Sequence, residues 1–391
     1  MSALLVLFLL AGLVQAQGQY SYSTNADGSV YTYSTNADGT AAIGGYSGPP
    51  WDVTIPTNIA GRTVTSIGDK AFWVQGNLTR VTLPGTITSI GEEAFEFCGN
   101  LTNVTIPTSV SEIEGEAFND TRLTSVTLSD SITSINDGTF GNCFFLTNVT
   151  IPSSVTNMQP NAFAGAGLTS VAIPGTVAGI GSFAFADCTN LTNVIIASGV
   201  TGIEADMFAG CSRLVSVTLP ASIANIREEA FWDCSNLTSI TIPGSVTNLE
   251  GSAFTGCSNL ARVYFVGNAP ITDSSVFANL DYYGNFIGYE NVTVFYLPGA
   301  TGWSNTLAGV PALLWNPVIQ MGNGMFGVRK GQFGFEIAGT AGIPIVVEGC
   351  ADLGNPVWTA LTNVTVASGL FHFSEPLQGN TPGRYYRIRS P

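Results

Sequence analysis

A phenylalanine recurs along most of this chain at steps of 22 or 23 residues, at Phe72, Phe95, Phe118, Phe140, Phe163, Phe185, Phe208, Phe231, Phe254 and Phe277. A period of that length is the signature of stacked supersecondary units. A unit so short cannot bury its own apolar side, so its neighbours must cover it, and the expected fold is a solenoid of ten repeats. Between successive phenylalanines lies a second element, as in Leu101-Thr102-Asn103-Val104-Thr105-Ile106-Pro107, whose apolar and polar residues alternate as in a strand. The residues closing it are Ile55, Leu83, Ile106, Leu128, Ile151, Ile173, Ile196, Leu219, Ile242, Phe265 and Leu297, which predicts eleven strands in one parallel sheet. Proline after most of them ends the ladder because it has no N–H to offer. The next segment, such as Ser109 to Phe118, turns Val110, Ile113 and Phe118 inward around a short turn of helix and forms the outer wall.

The consensus Leu-x-x-Val-Thr-Ile-Pro-x-Ser-Val-Thr-x-Ile-Gly-x-x-Ala-Phe-x-x-Cys resembles the leucine-rich repeat of BspA-like bacterial surface proteins, over residues 51 to about 300. The resemblance implies surface exposure, binding of proteins or glycans, and no catalytic residues. The pattern departs at Asn119-Asp120 and Gly165-Ala166, where a residue is deleted and the cysteine is absent, and over 267 to 290, where an insertion carries Asp281-Tyr282-Tyr283.

Only 10% of the 391 residues are charged, against roughly 25% in an ordinary globular chain. A net charge of −15 with two lysines, Lys70 and Lys330, excludes nucleic acid as a partner, because neutralising phosphates needs clustered Lys and Arg. Met1 to Ala16 reads as a secretory signal, with an apolar run from Ala3 to Val14 and small residues at Val14-Gln15-Ala16. No later stretch of about 18 apolar residues predicts a membrane span. The expected protein is secreted or held at the cell surface, and monomeric.

Six of the seven cysteines, Cys98, Cys143, Cys188, Cys211, Cys234 and Cys257, lie three residues after a repeat phenylalanine and should form one core column. Export favours disulfides. Cys98, Cys143 and Cys188 are each two repeats apart, near 10 Å, which is too far to bridge. Cys188 to Cys257 occupy consecutive repeats within reach of one another; stacked, parallel side chains favour buried thiols there over bridges. A cysteine column with one histidine in the chain builds no tetrahedral metal site, and no cofactor is expected.

On the sheet face the polar strand residues form rows: Thr79, Thr102, Thr124 and Thr147 in one, Thr82, Thr105, Thr127, Thr150 and Thr241 in another, and Arg80, Asn103, Ser125, Asn148, Ser239 and Arg262 in a third. Threonine suits an exposed strand for conformational reasons alone. The functional reading is a long uncharged hydrogen-bonding surface that receives a protein or glycan. Its candidate contact residues are Arg80, Thr102, Asn103, Thr105, Thr147, Asn148, Thr150, Ser239, Thr241, Arg262, Tyr264 and Tyr296, with Arg80, Arg262, Tyr264 and Tyr296 as anchors where the rows break. Carboxylates gather on the outer wall at Glu92-Glu93, Glu112, Glu114, Glu116, Glu204, Asp206 and Glu228-Glu229, most of them expected to form a solvated face; a glycosidase needs two that converge on a cleft, and residues repeated along a convex wall show no obvious convergence. The lone His372 alternates with Phe371 and Phe373 and should face solvent.

At the ends the period is lost. Residues 17–50 hold a tandem Tyr-Ser-Thr-Asn-Ala-Asp-Gly, whose Asp-Gly steps signal hairpins of a β cap. Residues 51–316 form the solenoid. Residues 317–391, with five positive and four negative side chains, carry short strands consistent with a small β-sandwich, and their ending, Pro382 to Pro391, resembles the last strand of modules in exported bacterial repeat proteins. Tyr385, Arg387 and Arg389 share one face of that strand and offer a contact for an acidic partner. The sequence therefore predicts a mainly β, exported recognition protein without catalysis, its rival a structural spacer and, third, a glycan-active enzyme.

Overall fold

In a computed structural model the described residues are 20–25, 28–49, 51–280, 285–376 and 384–389. The expected signal segment and Asp281-Tyr282-Tyr283 lie outside them. Two compact units, up to Leu237 and from Thr238, are described in turn.

The first unit opens with the cap. Ser21–Thr24 and Ala41–Ser47 flank Val30–Thr35 in antiparallel pairing, and Asn36 N–H closes the turn onto Thr40 O at 2.9 Å around Gly39, whose φ of 85° needs no Cβ. Ala41–Ser47 then pairs parallel with Arg62–Ile67, which passes the ladder to Ser89–Ile90 and Glu112–Ile113. The sheet face is a separate set of parallel strands in register. Asp52–Thr54, Arg80–Thr82 and Asn103–Thr105 form one ladder, Ser125–Thr127 and Asn148–Thr150 a second, and Ser170–Ile173, Asn193–Ile196 and Ser216–Thr218 a third.

The outer wall departs from the expected turn of helix, since no described residue is helical. Two residues before each phenylalanine, and two after, the backbone is left-handed: Glu93 and Phe97 around Phe95, Glu116 and Asp120 around Phe118, Asp206 and Gly210 around Phe208. Such a conformation costs a side-chain-bearing residue about 1–2 kcal/mol. It turns alternate N–H groups from the chain's own turn toward the next repeat, where Glu93 N–H reaches Gly115 O, Phe95 N–H reaches Ala117 O and Phe97 N–H reaches Asn119 O at 2.8–3.1 Å. A helix would have returned those N–H groups to its own carbonyls and left the repeats unjoined.

Inside the wall the phenylalanines stack face to face. From Phe72 to Phe231 successive ring centroids are 5.0–5.7 Å apart with planes within 15° of parallel, and Tyr46 of the cap begins the column at 5.4 Å from Phe72. Each neighbouring pair contributes about 0.5–1.5 kcal/mol beyond its burial. Cys98, Cys143, Cys188, Cys211 and Cys234 sit beside this column as buried thiols outside any disulfide. Each places Sγ 3.0–3.2 Å from the carbonyl oxygen of the phenylalanine in an earlier repeat. Thr121, which replaces one of them, turns its hydroxyl onto Phe118 O at 2.9 Å.

The second unit holds Ser239–Ile242, Arg262–Phe265, Thr293–Tyr296 and Val310–Leu314 as parallel strands. Phe265 pairs with Tyr296, so Tyr296 and not Leu297 closes the strand. The inserted residues break the count and shift the phase by one. After this, Gln332–Ala338 pairs with Val318–Gln320, Gly327–Arg329 and Leu370–Pro376, and Pro344–Cys350 pairs with Thr359–Thr365 and Tyr385–Arg389, all antiparallel. Phe335, Ile337 and Phe373 of one sheet meet Ile345 and Val347 of the other in a sandwich core.

Burial pushes the thiols of Cys98 and Cys211 up to about 12 and that of Cys143 to about 11, so the reactive thiolate is scarce. A chromogenic disulfide reagent is therefore expected to leave the native protein unlabelled and to titrate all seven thiols once it is unfolded; fewer than seven would mark a bridge.

Candidate functional site

The sheet face of the first unit carries most of its candidate residues in two rows, exposed except at half-buried Asn193. Asp52, Arg80 and Asn103 stand side by side, as do Ser125 and Asn148, and Ser170, Asn193 and Ser216. Two residues along, the neighbours are Thr54, Thr82 and Thr105, then Thr127 and Thr150, then Ala172, Ile195 and Thr218. The hydroxyls of Thr82, Thr105, Thr127 and Thr150 have no protein partner among the described residues and face solvent. Thr102 differs, because it donates its hydroxyl to Thr79 O at 3.3 Å, as Thr79 does to Trp51 O at 2.7 Å and Thr192 to Thr169 O at 3.0 Å. Thr147 is exposed, and its carbonyl accepts the Thr169 hydroxyl at 3.3 Å. That row ties repeats together. Arg80 is exposed and lies 3.9 Å from Asp52.

In the second unit Thr241 and Arg262 are exposed and Ser239 is half-buried. Tyr264 and Tyr296 depart from the expected anchors. The row that begins with Thr241 continues through Tyr264, Phe295 and Leu313. Tyr264 is only 6% exposed, stacks on Phe295 at 5.3 Å, and joins Phe335, Ile337 and Ile343 in one core, because the C-terminal strands cover this end of the face. Tyr296 lies on the opposite side of its strand and stacks on Trp303 at 4.6 Å. Neither is a free surface anchor. Sequence reasoning also missed Ile195 and Val215, 49% and 52% exposed, although gaps in the threonine rows at those positions were visible.

The C-terminal arginines are engaged within their own module. Arg387 Nε and Arg389 Nε donate to the two oxygens of buried Glu348 at 2.6 and 2.7 Å, and Arg387 also lies over Trp358. These bonds hold the Glu348 carboxyl below its ordinary range. His372 is exposed and stands opposite Glu336.

On the outer wall Glu93, Glu96 and Glu116 bring carboxylate oxygens within 4.8 Å of one another. Glu96 is buried and accepts from Trp73 Nε1 at 3.0 Å and Asn119 Nδ2 at 3.1 Å, while Lys70 pairs with Glu93 at 2.9 Å. Both Glu96 oxygens are thus occupied in joining repeats. Burial first, and then the neighbouring carboxylates, raise Glu114 beside Glu112 and Glu116 beside Glu96.

The family profile for the BspA type leucine rich repeat region, in six copies, matches residues 65–192 and 178–296. The chain belongs to the BspA-type leucine-rich repeat family. Among solved structures it is similar to a leucine rich cell surface protein of Faecalibacterium prausnitzii, at 27% identity over 73% of this chain and 97% of that one, with a TM-score of 0.44. It is also similar to a leucine-rich repeat protein of T. pallidum, at 25% identity over 59% and 87% with a TM-score of 0.37, and to the pneumococcal vaccine antigen PcpA, at 16% over 72% and 95% with a TM-score of 0.40. No curated protein matches the chain. The BspA-type leucine-rich repeat family is one of recognition or binding scaffolds.

Three outcomes follow from these groups. The Tyr264 hydroxyl is buried without a hydrogen-bond partner, so Tyr264→Phe is expected to keep or raise stability by about 1 kcal/mol, and Tyr264→Ala to lower it by about 3–5 kcal/mol, as read by urea unfolding. Because Glu114 and Glu116 are raised in the folded state, their contribution to stability is present below the ordinary carboxylate range and lost as pH rises through their folded pKa values. Glu116→Gln should flatten that decline and stabilise the protein at neutral pH. Glu348 acts in the opposite sense, and its contribution disappears as pH falls below that range.

Proposed function

We propose that this is an exported repeat protein that binds a protein or glycan through the sheet face of its solenoid and performs no catalysis of its own. The observation that carries the reading is the set of uncharged side chains, Asn103 and Thr105 on one strand and Ser125, Thr127, Asn148 and Thr150 in register on two others, whose polar groups stand free on a closely stacked scaffold. The backbone that carries them is already ordered by its ladder, which lowers the ordering cost of binding. In this reading residues 1–16 are removed on export, 17–50 cap the stack, 51–316 form the solenoid and 317–391 close its far end. A spacer is the second reading, supported by the Thr79 and Thr102 hydroxyls, which already bond within the stack.

Retention of surface-extract proteins and a glycan array, both read with residues 17–391, test the proposal. The double variant Asn103→Lys, Asn148→Lys is expected to weaken retention by about tenfold or more, the scale of one lost interfacial contact pair, at an unchanged unfolding midpoint. Unchanged retention favours the spacer.

A further inference from the structure

We infer that the stretch of sheet face around Ile195 is built to be covered by a protein partner presenting an apolar, uncharged surface. This rests on the reading that the sheet face is a recognition surface. The chain supplies its own control. In the second unit the row is threonine where bare, at exposed Thr241, and becomes Tyr264 and Phe295, 6% and 3% exposed, where the C-terminal strands cover it. At this strand position of the second unit an apolar residue thus accompanies coverage and a threonine accompanies exposure. At the corresponding strand position of the first unit the residues are exposed threonines up to Thr150, then Ala172 and Ile195, then Thr218. Ile195 nevertheless stands 49% exposed, and Val215, which takes the place of a threonine one repeat after Thr192, stands 52% exposed.

The chemistry around it selects the occupant. From Asn103 to Thr218 the two sheet-face rows hold no charged side chain, so a partner gains nothing from ions there and loses the hydration of any it brings. Those rows also hold no aromatic ring and no carboxylate, the groups that stack on a pyranose and grip its hydroxyls. An aliphatic side chain framed by Asn193, Ser216 and Thr218 suits the mixed apolar and hydrogen-bonding surface of a polypeptide.

A random-peptide phage library selected on residues 17–391, with a glycan array in parallel, decides the matter. The expected result is uncharged peptides with aliphatic or aromatic residues, bound equally at low and high salt. Their affinity should fall about tenfold with Ile195→Lys, as for exposing one buried aliphatic side chain. Ile195→Ser should weaken them less, and both variants should keep the unfolding midpoint. Charged peptides whose binding salt abolishes, peptides indifferent to Ile195→Lys but lost with Asn103→Lys and Asn148→Lys, or glycan binding lost with Ile195→Lys would each overturn the inference while leaving the sheet face a recognition surface. Binding of neither peptides nor glycans would overturn both readings.

Discussion

Each repeat depends on the next for its backbone hydrogen bonds as well as for its core. In the wall, N–H groups that a helix would satisfy locally are turned outward by paired left-handed residues and satisfied one repeat on, as from Phe95 to Ala117. The rings of Phe72 to Phe231 stack along the same direction, so polar and apolar contacts share one axis. A repeat deprived of its neighbour would lose both at once, which makes such a stack cooperative between nearest neighbours.

This arrangement also explains how a chain with so few charges stays ordered at its surface. Polar side chains are divided between two tasks. Thr79, Thr102, Glu96 and Asn119 bond across repeats and belong to the scaffold, whereas Asn103, Thr105, Asn148 and Thr150 stand outward with no such engagement. On the acidic wall Glu93, Glu96 and Glu116 converge, with Glu96 engaged between repeats, and the raised carboxyls of Glu114 and Glu116 reflect burial first and neighbouring carboxylates second.

Much of the fold was legible because a repeated pattern is measured many times over in one chain. The phase of Phe, of the strand triplets and of the cysteines could be counted directly, and the burial of the cysteine column follows from it. Legibility failed where counting failed. Past the insertion that follows Phe265 the phase slips by one, and the position that counting gives to Leu297 belongs to Tyr296. The outer wall misled for another reason: residues such as Glu116 and Asp120 have no strong preference for a left-handed backbone, and only the bonds to the adjoining repeat hold them there.

The candidate face divides along the same line. Alternation within each strand fixed that Asn103 and Thr105 point outward, because side chains on a strand change sides at every residue. The same alternation placed Tyr264 outward too, and correctly, yet an outward direction is not exposure: residues some 70 to 110 positions later in the chain fold over it and make it core. Local periodicity determined the repeat, the strands and the facing of each side chain, since these depend on neighbours in sequence. Which part of that face stays open, and which cations remain free once Glu348 has taken Arg387 and Arg389, was decided only by tertiary structure, because both depend on contacts between segments distant in sequence.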